Sequence, residues 1–234
     1  MATNIFNKYA DFYGNVRVYP HDYYFINFIR RTRKRESTLI DIGGGAGTFA
    51  KLVKNNCPDM DVTVVDPSKK LLHRINDERI KKIDGKLPNQ IFLDSSFDYI
   101  SVKEVFHHIV GSSINESKKL LRESLFTVRK FLNDDGFLLI HEIFYESYLI
   151  TTYSRTLIFY LLTLQNNLGI KVPAKEFLMG LRVCFYTRPE FESILNESGF
   201  KISEYCEIYW SSGFKKRALF LKDWGRMLFI ARKG

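Results

Sequence analysis

A glycine-rich run near residue 40 is the strongest chemical signal in the sequence. Residues 39–47 read LIDIGGGAG, so an apolar segment carries Asp41 and then gives way to Gly43, Gly45 and Gly47. Glycines let the backbone turn sharply and let a ligand approach without a Cβ in its way. Free N–H groups at the start of a following helix can receive a carboxylate or another anion. The run therefore predicts a strand, a ligand-binding loop and a helix, in that order.

A second carboxylate, Asp66, ends the apolar residues 62–65, which read VTVV. In doubly wound folds, an acidic residue at the tip of the second strand can accept hydrogen bonds from the hydroxyls of a ribose. The loop and the acid together are much more specific than the loop alone. The glycine order is GxGxG, because Thr48 stands where the GxGxxG pattern of dinucleotide sites has its third glycine. No GxxxxGK(S/T) run occurs, which excludes a P-loop nucleotidase.

Short apolar runs alternate with amphipathic stretches from residue 38 onward, as strands and helices do around a parallel sheet. Helices are predicted at 48–55, from Ser68, at 116–132 and from Thr187. Strands are predicted at 39–40, at 62–65, near Ile83, at 97–102 and at 137–140, with a turn at 133–136. Segments near 200–209 and 226–232 are expected to close the chain as an antiparallel pair. The predicted fold class is α/β, a doubly wound, mostly parallel seven-stranded sheet with an antiparallel last strand.

Two segments depart from this alternation. Residues 1–36 are rich in aromatic residues and end in a basic run at 30–35, and they are predicted to form an N-terminal helical cap. Residues 146–186 begin with a strongly apolar stretch of helical period, and they are predicted to form a helical lid insertion over the active site. Both segments are assigned to a single domain spanning residues 1–234.

The composition limits the class of protein. Of the 234 residues, 45% are hydrophobic and 26% are charged, which excludes a disordered chain, a collagen-like repeat or a coiled coil. The three cysteines are widely spaced and form no disulfide or zinc pattern, so no metal is predicted. No signal pattern or membrane-length apolar run occurs, and a cytoplasmic location is predicted. The net charge of +9 permits an anionic partner such as nucleic acid, but a basic solvated surface is the preferred interpretation.

Several motifs together resemble those of the class I S-adenosylmethionine-dependent methyltransferases. DIGGGAG at 41–47 resembles their motif I, and VVDPS at 64–68 resembles the segment with their second-strand acid. Further segments resemble the small-molecule group that includes the ubiquinone and menaquinone methyltransferases. These are FNKYADFY at 6–13, SFDYI at 96–100, FHHI at 106–109, LLRE at 120–123 and FLNDDGFLLI at 131–140. The similarity covers most of the chain outside 146–186.

The resemblance implies that S-adenosylmethionine is the cofactor. The residues that it assigns to the cofactor are Asp41, Gly43, Gly44, Gly45, Gly47, Asp66, Pro67, Asp84, Tyr9 and Tyr13. Asp41 is placed near the ammonium group, Asp66 at the ribose hydroxyls and Asp84 at the adenine amine, although the run that follows Asp84 departs from the family pattern. Tyr9 and Tyr13 are placed over the sulfonium, where an aromatic face attracts a cation. Core packing of the N-terminal helix is the alternative role of these two tyrosines.

The acceptor is expected beyond the carboxyl ends of the fourth and fifth strands, where open α/β sheets place their active sites. His107 is predicted to accept a proton from the substrate nucleophile, because imidazole titrates near neutral pH. The neighbouring His108 is expected to pack or to hydrogen-bond within its loop. Glu142 is predicted to point into the cleft, with a buried structural ion pair as the alternative.

The apolar and aromatic content of residues 146–186 favours a small hydrophobic or aromatic acceptor, methylated on oxygen, nitrogen or carbon. After the fourth strand the chain reads SVKE at 101–104. Methyltransferases of exocyclic base amines commonly carry an Asp/Asn-Pro-Pro-aromatic segment there, so its absence disfavours base amines as acceptors.

Alternatives remain open at this point. The net charge and the basic run at 30–35 fit an RNA or protein methyltransferase. A non-catalytic module that retains the cofactor fold is a second alternative. The apolar stretch 148–164 fits contact with a membrane surface, and the competing explanation is a lid helix packed on the core or on the second subunit of a homodimer.

Overall fold

The apolar runs of the sequence become the strands of a single seven-stranded sheet. The computed structural model describes residues 7–8, 10–13, 18–88, 96–169, 181–211 and 219–234. The strands are β1 (Thr38–Ile42), β2 (Asp61–Asp66), β3 (Ile80–Asp84), β4 (Phe97–Lys103), β5 (Leu132–Ser147), β6 (Phe200–Tyr209) and β7 (Leu221–Lys233). The helices are α1 (Ala10–Tyr13), α2 (Asp22–Thr32), α3 (Thr48–Asn56), α4 (Lys69–Leu72), α5 (Ile114–Phe131), α6 (Tyr153–Leu168) and α7 (Arg188–Glu197), and a 3-10 turn spans Phe106–His108.

The strand order defines where a ligand can bind. The strands lie in the order β3-β2-β1-β4-β5-β7-β6. Neighbours from β3 to β5 pair in parallel, whereas β7 is antiparallel to both β5 and β6. The predicted fold class is confirmed, including the antiparallel last strand. Because the chain order reverses between β1 and β4, a crevice opens at the carboxyl ends of these two strands, which is the usual ligand position in such sheets.

Each face of the sheet is covered by its own helices. On one face, α5 and α7 bury Leu121, Leu125 and Phe191 against the sheet. On the other face, α2 and α3 bury Phe25 and Phe49, whose rings meet edge to face. Helix α2, which lies within the predicted N-terminal cap, is therefore a packing layer of the sheet.

Two helices begin where side chains satisfy their free N–H groups. Helix α7 opens with the predicted capping box, in which the Thr187 hydroxyl accepts from the Glu190 N–H and the Glu190 carboxylate accepts from the Thr187 N–H. At the start of α5, the Ser113 hydroxyl accepts from the N–H of Glu116. Helix α5 therefore begins two residues before the predicted start at 116.

Strand β5 is much longer than the predicted strand at 137–140. Its pairing with β4 shifts from Leu132 to Phe137, so the residues of the predicted turn at 133–136 are carried in the strand as a bulge. Beyond His141, where β4 ends, β5 continues to Ser147 with β7 as its partner. We call residues 142–147 of β5 together with residues 221–227 of β7 the sheet extension. It enters the predicted insertion by two residues.

Helix α6 packs on the sheet extension and forms a small separate core with it. Ile158 and Leu162 of the helix are buried together with Tyr145, Leu221 and Trp224. The helix predicted for the first half of the insertion is thus present, starting at Tyr153, whereas residues 170–180 lie outside the described ranges. Within those ranges, no helix combines the length and the apolarity needed to cross a membrane.

Candidate active site

A cavity of about 400 Å³ lies at the carboxyl ends of β1, β2, β4 and β5. Six of the residues predicted to hold a cofactor line it, namely Asp41, Gly43, Gly44, Gly45, Asp66 and Pro67. The structure therefore brings most of the glycine run and both strand-end carboxylates of the sequence motif to one place.

The glycine loop holds a conformation that only glycine adopts easily. Gly43 and Gly45 have φ angles of 73° and 56°. A Cβ on Gly43 would lie 2.3 Å from Cγ2 of Val105, so a side chain there would also collide with the segment after β4. The Gly43 N–H donates to the carbonyl of Val65 at 2.7 Å, which ties the loop to β2. The loop is thus packed closely on both neighbouring strands.

Backbone N–H groups orient the carboxylate of Asp66. Its Oδ2 accepts from the N–H of Gly45 at 2.9 Å, and its Oδ1 accepts from the N–H of Ser68 at 2.8 Å. Burial raises the pKa of Asp66 to about 6, although these two hydrogen bonds oppose the shift. Each carboxylate oxygen keeps a second lone pair, and the residue lines the cavity. This carboxylate therefore fits a ligand with two neighbouring hydroxyl donors, such as a ribose.

The carboxylate of Asp41 is buried and lacks a good partner. Among the described residues, no group forms a hydrogen bond of good geometry with either of its oxygens, and the residue is 1% exposed. Burial raises its pKa to about 6, against the opposing effects of the Lys103 charge and the Ser101 hydroxyl. An unsatisfied buried carboxylate is costly. Its position on the cavity wall fits a cationic or hydrogen-bond-donating ligand group, such as the ammonium of an amino acid.

Four residues assigned to the cofactor are not among the described residues of the cavity wall, and two of the four fall outside the described part of the chain. Gly47 is the N-cap of α3 and does not face the cavity. The side chain of Asp84 is half exposed and lies 3.5 Å from the Lys69 ammonium, while the cavity wall beside it is formed by Gly85 and the residues that follow. Tyr9 and the side chain of Tyr13 lie outside the described residues. The roles of these four residues stay predictions.

The two residues predicted to be catalytic form a buried pair, and their catalytic role stays a prediction. Nδ1 of His107 lies 2.7 Å from Oε2 of Glu142, and neither residue lines the cavity. Oε1 of Glu142 accepts from the N–H of Phe106 at 2.7 Å. Burial disfavours protonation of His107, but the charge and the hydrogen bond of Glu142 outweigh it and raise the histidine pKa. The alternative of a structural ion pair describes Glu142, which holds the 3-10 turn against β5.

Polar residues that the sequence analysis did not select form the cavity wall at the ends of β4 and β5. Lys103, Glu104, His108 and His141 all line the cavity. Glu104 has a φ of 54°, which is unusual for a residue other than glycine, and its Oε1 accepts from Nε of Arg226 at 3.2 Å. Backbone strain of this kind concentrates at binding and catalytic sites. The wall is therefore held in a fixed arrangement by residues from β4, β5 and β7.

His141 is the buried base of this wall. It is 1% exposed, and within the described part of the chain neither of its ring nitrogens has a hydrogen-bond partner. Its Nε2 lies 3.5 Å from Oε1 of Glu104. Burial, followed by the positive charges of Lys103 and Arg226, lowers the pKa of His141 well below its ordinary value. The imidazole is therefore neutral at physiological pH and can accept a proton.

The sequence carries one signal that bears on which residue at the end of β5 faces the cavity. Consecutive residues of a strand point to opposite faces, so only one of His141 and Glu142 can face the cavity. Lys103, which lines the cavity, is the register partner of His141 across β4 and β5. Side chains of register partners lie on the same face, and this pairing selects His141. The pairing itself was not readable from the sequence.

One group of side chains has the composition of a metal site. In the described ranges, ligand atoms of His21, Asp22 and His141 lie within 4.8 Å of one another. The Asp22 carboxylate, however, already accepts from the Lys103 ammonium and from the N–H of Tyr19. The ammonium already neutralises the one carboxylate of this group. We assign no metal to this group, and the prediction of no metal stays a prediction.

Comparison with known proteins places the chain in a family. The family model described as a methyltransferase domain matches residues 22–205, and the chain therefore belongs to the methyltransferase domain family. The sheet order, the glycine loop and the strand-end acid are those of the class I S-adenosylmethionine-dependent methyltransferases, so the resemblance predicted from the sequence is confirmed. S-adenosylmethionine is the cofactor of that class.

Individual relatives share only a low sequence identity with this chain. An uncharacterized methyltransferase of Staphylococcus carnosus is 28% identical over 150 residues, which are 61% of this chain and 68% of that protein. The demethylmenaquinone methyltransferase of Thermotoga maritima is 32% identical over 108 residues, so the match spans 45% of this chain and 43% of that one. The structure of magnesium protoporphyrin IX methyltransferase from Synechocystis PCC 6803 with bound SAH superposes with a TM-score of 0.62 at 14% identity, over 100% of this chain and 98% of that chain. The last similarity is one of fold.

Proposed function

We propose that the protein transfers the methyl group of S-adenosylmethionine to a small hydrophobic or aromatic acceptor that carries a hydroxyl. The observation that carries this proposal is the pairing, in one cavity, of an oriented carboxylate at Asp66 with an unsatisfied one at Asp41. Asp66 would hold the ribose hydroxyls, and Asp41 would receive the ammonium group. When bound, S-adenosylmethionine supplies a methyl group on a positively charged sulfur that leaves as a neutral thioether.

The apolar side of the cavity supports a hydrophobic acceptor. Its wall includes Leu87, Val105, Ile109, Val110 and Leu120. No described residue of the segment 146–186 lines the cavity, so the predicted lid wall stays a prediction; the described apolar wall comes from residues after β3, between β4 and α5, and in α5. An apolar wall with a few polar groups is typical of small-molecule sites. The cavity therefore suits a ring or short chain that presents one polar group to His141.

His141 would accept the proton that a hydroxyl acceptor loses. Its ring nitrogen is neutral and buried, and the nearby Glu104 carboxylate would stabilise the imidazolium that forms. The hydroxyl oxygen gains the methyl group, and its proton passes to the imidazole. Proton transfer of this kind contributes about 100-fold or more to a rate.

Ion pairs within the basic run at 30–35 weaken the alternative that the acceptor is RNA. Arg31 is paired with Glu204, and Arg33 is paired with Asp59. Acidic partners compete with phosphates for these two guanidinium groups, which weakens the run at 30–35 as an RNA-binding surface. We keep RNA methylation as an outcome of the test.

The test is a methyl-transfer assay with labelled S-adenosylmethionine and a panel of acceptors. We expect label in apolar phenols and hydroquinols, and little in polar alcohols, amines, total RNA or protein. Incorporation into RNA or protein alone, or transfer to polar acceptors alone, would overturn the proposed acceptor class. Tight cofactor binding with no transfer to any acceptor would instead support a non-catalytic module.

A further inference from the structure

Five exposed large hydrophobic side chains of the described residues cluster at one end of the sheet extension. Tyr148, Leu149 and Ile150 follow β5, Tyr153 begins α6, and Phe220 precedes β7. Leu149 is 99% exposed, Ile150 64% and Phe220 62%. Exposed apolar groups that cluster in this way usually mark a contact surface. We call these five residues the apolar tip.

Contacts between its two segments make the apolar tip one surface. The rings of Tyr153 and Phe220 meet edge to face with centroids 5.9 Å apart. The hydroxyl of Ser154 donates to the carbonyl of Leu219, and the N–H of Ser147 donates to the carbonyl of Thr151 at 3.2 Å. The turn after β5 is therefore fixed beside the residues that enter β7, and the exposed side chains project together.

The charges around the apolar tip distinguish between possible occupants. Between Ser147 and Gly169 the only charged residue is Arg155, which is buried and paired with Glu190. Next to the tip, the Lys222 side chain is 59% exposed and lies 3.9 Å from Asp223. The sequence at 212–218 adds three basic residues and no acidic one. The tip itself is thus uncharged, and the sequence that leads into Phe220 is basic.

We infer that the apolar tip docks on a membrane surface that contains anionic lipids, with Leu149, Ile150 and Phe220 entering the acyl-chain boundary. Exposed aliphatic and aromatic side chains beside basic residues have the chemistry that binds such a surface. The net charge of +9 and the basic sequence that leads into Phe220 attract anionic lipid and repel a second copy of the chain. Charge complementarity therefore favours the lipid surface over a homodimer at this site.

The docked orientation brings the cavity near the membrane. Strand β5 runs from His141 on the cavity wall to Ser147 beside the tip, a distance of about 20 Å at about 3.3 Å per residue. The tip and the cavity lie toward the same edge of the sheet. An apolar acceptor dissolved in the bilayer would then be supplied close to the active site. This last consequence rests on the proposed function, whereas the docking itself does not.

The test is flotation of the full chain with vesicles of phosphatidylcholine alone or of phosphatidylcholine mixed with phosphatidylglycerol. We expect binding to the mixed vesicles that falls about tenfold or more in a variant with Leu149→Ser and Ile150→Ser, and that weakens with added salt. The matched control is Phe126→Ser, which removes a half-exposed aromatic side chain of α5 far along the chain from the tip. Circular dichroism shows whether each variant is folded.

Several results would overturn the inference. One is an absence of binding to both kinds of vesicle. Another is equal binding of the tip variant and the control, which would indicate a nonspecific effect of the positive charge. A third is lipid-free self-association in sedimentation velocity that the tip substitutions abolish, because a second copy would then be the occupant. None of these results depends on methyl transfer, so the proposed function stands or falls separately.

Discussion

The glycine loop and the sheet extension differ in the kind of group that lacks a suitable environment: buried polar groups at the loop, and exposed apolar groups at the end of the extension. At the loop, β1, β2 and β4 end together, and buried polar groups such as Asp41 and His141 lack good partners among the described residues. At the extension, β5 and β7 continue past the other strands and expose apolar groups such as Leu149 and Phe220.

Each departure from the usual distribution of residues indicates a partner outside the chain. A buried carboxylate without a hydrogen-bond donor is explained by a ligand that brings one. A side chain as exposed as Leu149 is explained by an apolar surface that covers it. Departures from local rules are expected at functional sites rather than in the framework. The comparison assigns small-molecule binding to the first region and surface contact to the second.

The largest effect is expected from adding a methyl group to the glycine loop. Gly43→Ala combines a left-handed backbone with a close approach to Val105, so we expect unfolding to become easier by about 4 kcal/mol. Gly169→Ala is the matched control, because Gly169 also has a positive φ but nothing lies within 4 Å of its Cβ position. We expect that control to lose about 1 kcal/mol. Urea unfolding measures both values, and equal losses would contradict the close packing of the loop.

Replacing the proposed base should affect the reaction and not cofactor binding. We expect His141→Gln to lower kcat about 100-fold, while the affinity for S-adenosylhomocysteine stays within about twofold. The rate of the variant should rise with pH as the acceptor itself ionises, whereas the native rate should be level between about pH 6 and 8 because the His141 pKa lies well below its ordinary value. His21→Gln is the control, since His21 packs on the His141 ring but does not line the cavity. A similar loss in both variants, with unchanged pH profiles, would make His141 a packing residue.

The unsatisfied carboxylate should destabilise the protein when no ligand is bound. Asp41 has a folded pKa of about 6 and an ordinary value of 3.8, so the folded state holds the proton more tightly. Stability should therefore fall as the pH rises from about 4 to about 6. Burial is the largest cause of the raised pKa. The Lys103 charge and the Ser101 hydroxyl lower the pKa of Asp41, and the charges of Asp22 and Asp66 raise it.

Removing the charge of Asp41 should reverse that effect. We expect Asp41→Asn to stabilise the ligand-free protein at pH 7 by about 2 kcal/mol and to reduce the fall in stability between about pH 4 and 6, with the remainder contributed by Asp66, whose pKa is also raised to about 6. The same variant should bind S-adenosylhomocysteine more weakly. Thermal unfolding at several pH values checks the first part, and a destabilised variant that binds normally would show that Asp41 has a structural role.

The smallest effect is expected at the apolar tip. Leu149 is 99% exposed, so Leu149→Ser should change the free energy of unfolding by less than about 0.5 kcal/mol in the absence of lipid. A loss of several kcal/mol in urea unfolding would mean that Leu149 is covered in solution. The free energy of unfolding should therefore respond strongly to a substitution in the glycine loop, at Gly43, and hardly at all to one in the apolar tip, at Leu149.

Local patterns in the sequence predicted the framework and the cofactor side of the site. The run at 39–47 and Asp66 lie on consecutive strands, and their spacing alone indicated that they meet. The sheet extension was not predicted, because residues 142–147 acquire their strand partner from β7, about 80 residues further along the chain. Which of His141 and Glu142 faces the cavity was not readable from the sequence for a related reason, since the face of a strand residue depends on register with its neighbours. The exposure of Leu149 could not be predicted either, because an apolar residue in an apolar stretch of sequence is exposed only if no other part of the fold packs over it.

Calorimetric titration with S-adenosylhomocysteine tests the central claim most directly. We expect the native protein to bind one equivalent, and Asp66→Asn to bind at least about tenfold more weakly because the oriented carboxylate is lost. Asp61→Asn is the matched control, since Asp61 is the exposed first residue of β2 and does not line the cavity, and its affinity should stay within about twofold. Absence of heat with the native protein, or equal affinity in the native protein and Asp66→Asn, would contradict the account.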